Sequence, residues 1–120
     1  MVRTERWIPT YKEDYLKDGT WVNYMIGVYD GRDIMSDCVK PSWERSGEYM
    51  IEIIEPGKRH NCDACFVIHS QNKDWANRIA SNIKHGRFST LEELLQALRK
   101  LSYLGKLTSG NGRENLFIHA

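Results

Sequence analysis

Residues Glu48 to Gln71 read Glu-Tyr-Met-Ile-Glu-Ile-Ile-Glu-Pro-Gly-Lys-Arg-His-Asn-Cys-Asp-Ala-Cys-Phe-Val-Ile-His-Ser-Gln. Two apolar runs, Tyr49–Ile54 and Cys65–His69, flank a polar connector. Both runs are too short for a globular helix, are rich in β-branched types, and are separated by Pro56-Gly57. That combination predicts two strands near the centre of a sheet, joined by a loop longer than a two-residue hairpin turn. The connector and its borders also gather the metal-capable side chains His60, Cys62, Cys65 and His69. In an extended segment Cys65, Val67 and His69 fall on one face.

On the N-terminal side, Thr20–Tyr29 is a further strand pattern, with Val22, Tyr24, Ile26 and Val28 on the expected core face. Asp30-Gly31-Arg32-Asp33 is a turn signal, and the stretch from Cys38 to Gly47 reads as a loop whose Trp43 caps the core. Residues 1–19 read as an arm packed on the domain by Trp7, Tyr11 and Tyr15. Pro9 disfavours helix before it, and the four-residue spacing of Tyr11 and Tyr15 suggests one short helical turn.

On the C-terminal side the period changes from two to three and a half. Asn72 stands where a helix cap is needed. Trp75, Ile79 and Ile83 recur every fourth residue beside Ala76 and Ala80, and Gly86 offers a left-handed stop. A second helix restarts at Ser89-Thr-Leu-Glu92, a capping-box pattern, and carries Leu91, Leu94, Leu95, Leu98 and Leu101 along one face. Gly110-Asn111-Gly112 then predicts a hairpin into a last strand, Leu116–His119. The fold class expected is α+β: a mainly antiparallel sheet of three to five strands with two consecutive helices packed on one face. One domain over 1–120 is expected, made of the arm 1–19, a strand-rich part 20–71, the helices 72–105 and a hairpin 106–120.

A chain of 120 residues buries about 65% of its unfolded surface on folding, so it requires neither a disulfide nor a metal. The three cysteines are an odd number, which argues against a secreted disulfide framework and for a reducing, cytoplasmic setting. No window has the apolar length of a membrane span, and Met-Val-Arg-Thr-Glu-Arg-Trp contains no apolar signal region. The net charge of +1 divides unevenly: −3 over residues 1–71, +4 over 72–106 and zero over 107–120. A charge of that size on the helical part is within the range of a solvated helix surface.

These residues bear on four chemistries. Zinc would use Cys62, Cys65, His69 and, as fourth donor, His60 or the more remote Cys38, since a Cys-x-x-Cys turn aims two thiolates inward. A lone Cys-x-x-Cys without a second pair is a weak signal, and the expectation is no cofactor, with zinc as the exception. A redox use would want the first cysteine at a helix N-terminus, which the strand pattern denies it. For nucleic acid, the helix pair and the hairpin would present Arg78, Lys84, Arg87, Arg99 and Arg113 to phosphates. Glu92 and Glu93, however, occupy the end of the second helix where a reading helix places its base contacts.

For catalysis, the four histidines with Glu52, Asp63 and Lys58 form no nucleophile–base spacing, so no catalytic residue is assigned and the chain reads as a non-enzyme. The fourth chemistry is contact. Four Trp and six Tyr are the residue types that dominate binding hot spots. The expected function is therefore a small protein-binding module, a regulator or inhibitor that occludes a larger partner through Trp7, Tyr11, Trp43 and the acidic Asp30, Asp33 and Asp37. The alternative is a zinc-stabilised nucleic-acid binder.

Overall fold

The two apolar runs lie side by side in the computed structural model, which describes residues 7–29, 49–58 and 63–120, with side chains for 13–24, 49–58 and 63–120. They are β3 (Tyr49–Ile54) and β4 (Ala64–Ser70), paired antiparallel. Before them come β1 (Trp7–Tyr15) and β2 (Trp21–Tyr29). After them come α1 (Lys73–Gly86), α2 (Leu91–Arg99), a 3₁₀ turn (Lys100–Leu104), β5 (Gly105–Gly110) and β6 (Arg113–Ile118). The six strands form one sheet in the order β1-β2-β3-β4-β6-β5.

Three expectations are corrected. The sheet has six strands rather than three to five. One of its pairings, β4 with β6, is parallel, running from Phe66↔Glu114 to Ser70↔Ile118. The part of the arm from Trp7 onward is a strand, not a helical turn. Pro9 is accommodated because β1 is an edge strand, and its pairing with β2 shifts register twice, between Pro9 and Tyr11 and between Tyr11 and Glu13. The fold is α+β, with a mainly antiparallel sheet and two consecutive helices.

Both helices cover one face of the sheet. Ala76, Ile79, Ala80 and Ile83 of α1 and Leu94, Leu95 and Leu98 of α2 form one buried cluster with Val22, Tyr24, Ile51, Ile53, Phe66, Ile68, Leu116 and Ile118. The apolar positions at spacings of three and four dictate this face. The caps fix where the helices begin. The Asn72 side chain accepts from the backbone N–H of Asp74 (2.9 Å) and Trp75 (3.3 Å), as its position predicts. The α1 stop falls one residue later than expected, on Arg87 in the left-handed region (φ 52°). The cap of α2 is likewise Thr90 rather than Ser89, with Thr90 Oγ1 accepting from Glu93 N–H at 3.2 Å. None of the helices among the described residues is long and apolar enough to cross a membrane.

The C-terminal hairpin turns on Asn111 (φ 56°) and Gly112 (φ 75°), both left-handed as a two-residue primed turn requires. Its second strand begins at Arg113, three residues earlier than the sequence pattern suggests. Gly105 opens β5 where a Cβ would run into the carbonyl oxygen of Phe117, so no larger residue fits there.

One long-range contact ties the β1–β2 turn to the helices. Asp18 Oδ1 accepts from Thr20 N–H (3.0 Å) and Thr20 Oγ1 (2.6 Å), while Oδ2 accepts from Leu91 N–H at the start of α2 (2.7 Å). The Asp18 backbone N–H donates to Ser89 O at 3.1 Å. Burial works to raise the Asp18 pKa, but the hydrogen bonds from Thr20 and Leu91 outweigh it and hold the carboxyl below its ordinary range. Its stabilisation is therefore present above the unfolded value of about 3.9 and is lost as pH falls through the lower folded value. Asp18→Ala is expected to lower the urea midpoint at pH 7, since the Thr20 and Leu91 N–H groups lose their acceptor. The gap to wild type should shrink below about pH 4, and a gap that does not change with pH would show that the carboxylate is not the contact that matters.

Candidate contact surface

The second face of the sheet, away from the helices, is built by a bulge. Ile53 pairs with Phe66 while Ile54 pairs with Ala64, so Cys65 is an extra residue in β4. A bulge shifts the alternation by one residue. Phe66 and Ile68 point to the helices, and Cys65 also packs against that core. Ala64 and Val67 turn to the second face, where they form a small apolar cluster with Ile54, Trp21 and Met50. His69 follows Val67 onto that face. Cys65 and His69, expected on one face, therefore lie on opposite sides of the sheet, and β4 does not aim them at one ion.

Burial, with the Glu55 carboxylate, pushes the Cys65 thiol up, toward the protonated form that binds metal poorly. Cys62 and His60 lie outside the described residues. Among the described residues no group of three His, Cys, Asp or Glu side chains comes together.

A row of matched positions crosses the second face: Asn23 opposite Glu52, Glu52 opposite Val67, and Val67 opposite Asn115. Glu52 is 7% exposed, and Asn23 Nδ2 donates to its Oε1 at 3.3 Å. Burial raises the Glu52 pKa, and the hydrogen bond from Asn23 and the charges of Arg113 and His69 only partly offset it. Asn115 in turn bonds His69, with Nε2 2.9 Å from Oδ1. The three polar side chains of this row are thus engaged, Asn23 with Glu52 and Asn115 with His69 of the next row.

The adjacent row is where the surface opens. Met50 pairs with His69, His69 with Phe117, and Phe117 with Lys106. The His69 and Phe117 rings stack at 4.4 Å between centroids and 14° between planes. Phe117 is 38% exposed although its neighbours Leu116 and Ile118 are buried. Beside it, at the carboxyl ends of the parallel strands β4 and β6, a cleft of about 400 Å³ is lined by His69, Gln71, Asn72, Phe117 and His119. The carboxyl ends of parallel strands are where open sheets most often receive ligands. The cleft floor is set by Ser70, whose Oγ donates to Asn72 O (2.9 Å) and accepts from Asn72 N–H (3.0 Å), turning the chain from β4 into α1.

The remaining residues singled out from the sequence are scattered. Trp7 and Tyr11 belong to β1, but their side chains lie outside the described residues, as do Asp30, Asp33, Asp37 and Trp43 altogether. Arg78 sits over the Trp75 ring at 5.1 Å, and Lys84 pairs with Asp14 at 3.8 Å. Arg87 terminates α1. Arg99 binds Glu114 through Nε, at 3.0 Å and 3.2 Å from the two carboxylate oxygens, and through Nη2. Arg113 Nε donates to Ala64 O at 3.0 Å. These five cations are spread over both helices and the hairpin, and four of them are engaged with other parts of the chain.

Sequence reasoning missed Phe117 and Asn115. The available signal was phase: Leu116 and Ile118 define a core face, which puts Phe117 and Asn115 on the other. Comparison with protein-family models, with curated proteins and with solved structures finds no match.

A raised folded pKa means that the Glu52 contribution is fully present below the unfolded value of about 4.3 and is lost as pH rises through the folded value. Glu52→Gln removes the charge and keeps the shape. Its urea midpoint is expected to match wild type near pH 3.5 and to exceed it at pH 7. Parallel pH profiles for the two proteins would refute a buried carboxyl at this position.

Proposed function

We propose that the protein is a binding module that works by contact, a regulator or inhibitor that occludes a larger protein partner. The observation carrying this reading is Phe117: a large aromatic side chain held outward on a rigid sheet, stacked on His69 and bordering a cleft. Aromatic anchors fixed by their own scaffold are the residues that carry binding energy in interfaces, because little side-chain freedom is lost on docking. Tyr15, 60% exposed and stacked with Trp21 at 6.4 Å, adds a second aromatic platform on the same face.

The nucleic-acid alternative has less support. Phosphate binding needs cations free to meet phosphates along one surface. Arg78, Lys84, Arg99 and Arg113 make contacts within the chain instead, and the exposed Glu92 and Glu93 stand at the N-terminal end of α2.

Phe117→Ala tests the reading directly. Affinity capture from the source cell's extract with wild-type protein is compared with capture by Phe117→Ala and by Tyr103→Ala, which removes an exposed aromatic from the 3₁₀ turn. The expected result is a protein retained by wild type and Tyr103→Ala and lost, by tenfold or more, with Phe117→Ala. The melting temperature should remain within a few degrees of wild type, as for other surface substitutions. Equal capture by all three proteins would remove this face from the function.

A further inference from the structure

The sheet ends on two edges that differ in how they are protected. β1 carries Pro9 and two register shifts, the devices by which natural edges resist pairing with another chain. β5 has neither. Its six pairs with β6, from Gly105↔Ile118 to Gly110↔Arg113, run without a shift. Its outer side has no strand partner among the described residues.

The two-residue turn makes Gly110 and Arg113 a hydrogen-bonded pair, and the antiparallel alternation then gives Thr108 and Lys106 to β6. Leu107 and Ser109 are left to direct their N–H and C=O groups away from the sheet.

Side-chain features lie beside this edge. On the helix face, a hollow of about 380 Å³ has Cys65, Leu91 and Leu95 as its apolar lining, beside Ser109, Glu55, Arg113 and Glu114. Leu107, half-buried against the main core, lies on the same face two residues away. On the opposite face Lys106 is exposed and has no ion pair among the described residues, and it stands next to Phe117.

We infer that β5 accepts an extended segment of the partner protein as a seventh strand, with the pattern apolar–acidic–apolar. This rests on the binding-module reading and specifies how the partner docks. Main-chain hydrogen bonds to Leu107 and Ser109 supply the pairing, and alternate side chains supply the selection. The residue beside Ser109 enters the hollow under α2, its neighbour two positions away covers Leu107, and the acidic residue between them lies beside Thr108, diagonal to Lys106.

The test is a random linear peptide library panned on the wild-type protein. Selected peptides are then titrated against wild type, Ser109→Pro, Ser109→Ala and Phe117→Ala. Ser109→Pro removes an outward N–H that β6 does not use, whereas Ser109→Ala keeps it. Peptides of the stated pattern are expected, bound at least tenfold more weakly by Ser109→Pro and equally by Ser109→Ala. Exchange of the Leu107 and Ser109 amides should slow on binding.

If proline disturbs the hairpin, as its far-UV spectrum would reveal, the same peptides N-methylated at alternate residues against unaltered protein give the answer: one methylation register should abolish binding. Peptides that bind Ser109→Pro as well as wild type and tolerate both registers overturn strand addition; if they need Phe117, the binding-module reading stands without it. A library that enriches no peptide also overturns strand addition, and leaves capture of a folded partner to the Phe117→Ala comparison. A concentration-dependent dimer lost in Ser109→Pro would assign the edge to a second copy of the chain and overturn the partner assignment.

Discussion

The parallel ladder between β4 and β6 is the constraint on which the rest of the molecule depends. Without it the chain is a four-stranded meander followed by two helices and a separate hairpin, and Leu116 and Ile118 lose their place in the core. Parallel neighbours cannot be joined by a tight turn, so everything between Ser70 and Arg113 must serve as the crossover. α1 and α2 fill that role by lying on the sheet. The register Ile68↔Leu116 puts two fully buried side chains beside each other under the helices. The same register brings His69 beside Phe117 on the opposite face. One pairing thus fixes both the core and the surface proposed for contact.

The two faces are stabilised differently. The helix face is an apolar core of aliphatic and aromatic side chains, where burial at about 25 cal/mol per Å² is the main driving force. The second face combines a small apolar cluster at Ile54, Ala64 and Val67 with a row of amides and a buried carboxyl. Glu52 gains nothing from burial, and its raised pKa measures that cost in charge. What it gains is position: Asn23 in β2 and Glu52 in β3 bond only in the native register, and His69 and Asn115 do the same across β4 and β6. A polar row of this kind selects one register among several that an apolar face would tolerate.

Local chemistry was legible and non-local chemistry was not. The helices could be read because their periodicity, the Asn72 cap and the leucine face act over four residues at a time. Their boundaries slipped by one residue where αL geometry fell on Arg87 rather than Gly86. β1 was hidden because Trp-Ile-Pro-Thr-Tyr-Lys-Glu-Asp-Tyr lacks clean alternation, and its bulges break the alternation further. The bulge at Cys65 was invisible for the same reason: nothing in Ala-Cys-Phe-Val indicates that two residues will share one step of the partner strand. It was this slip that separated Cys65 from His69. Asp18 joins Leu91 across 73 residues, a distance at which no spacing rule operates.

That separation bears on how a contact surface arises in a chain of this size. Small domains have little surface to dedicate, so outward side chains must be supplied by strands whose other face already belongs to the core. β6 does this within three residues, with Leu116 and Ile118 inward and Phe117 outward, so the proposed anchor stands directly on the core beneath it. A loop aromatic would lose conformational freedom on docking, whereas a strand aromatic stacked on His69 has already lost it. The β5 edge extends the same logic to the backbone. Its outward N–H and C=O groups are aligned by the ladder to β6 before any partner arrives, and the turn at Asn111-Gly112 fixes which of them face outward. The proposed side-chain anchor and the proposed main-chain edge are adjacent because both belong to one hairpin whose second strand pairs parallel to β4.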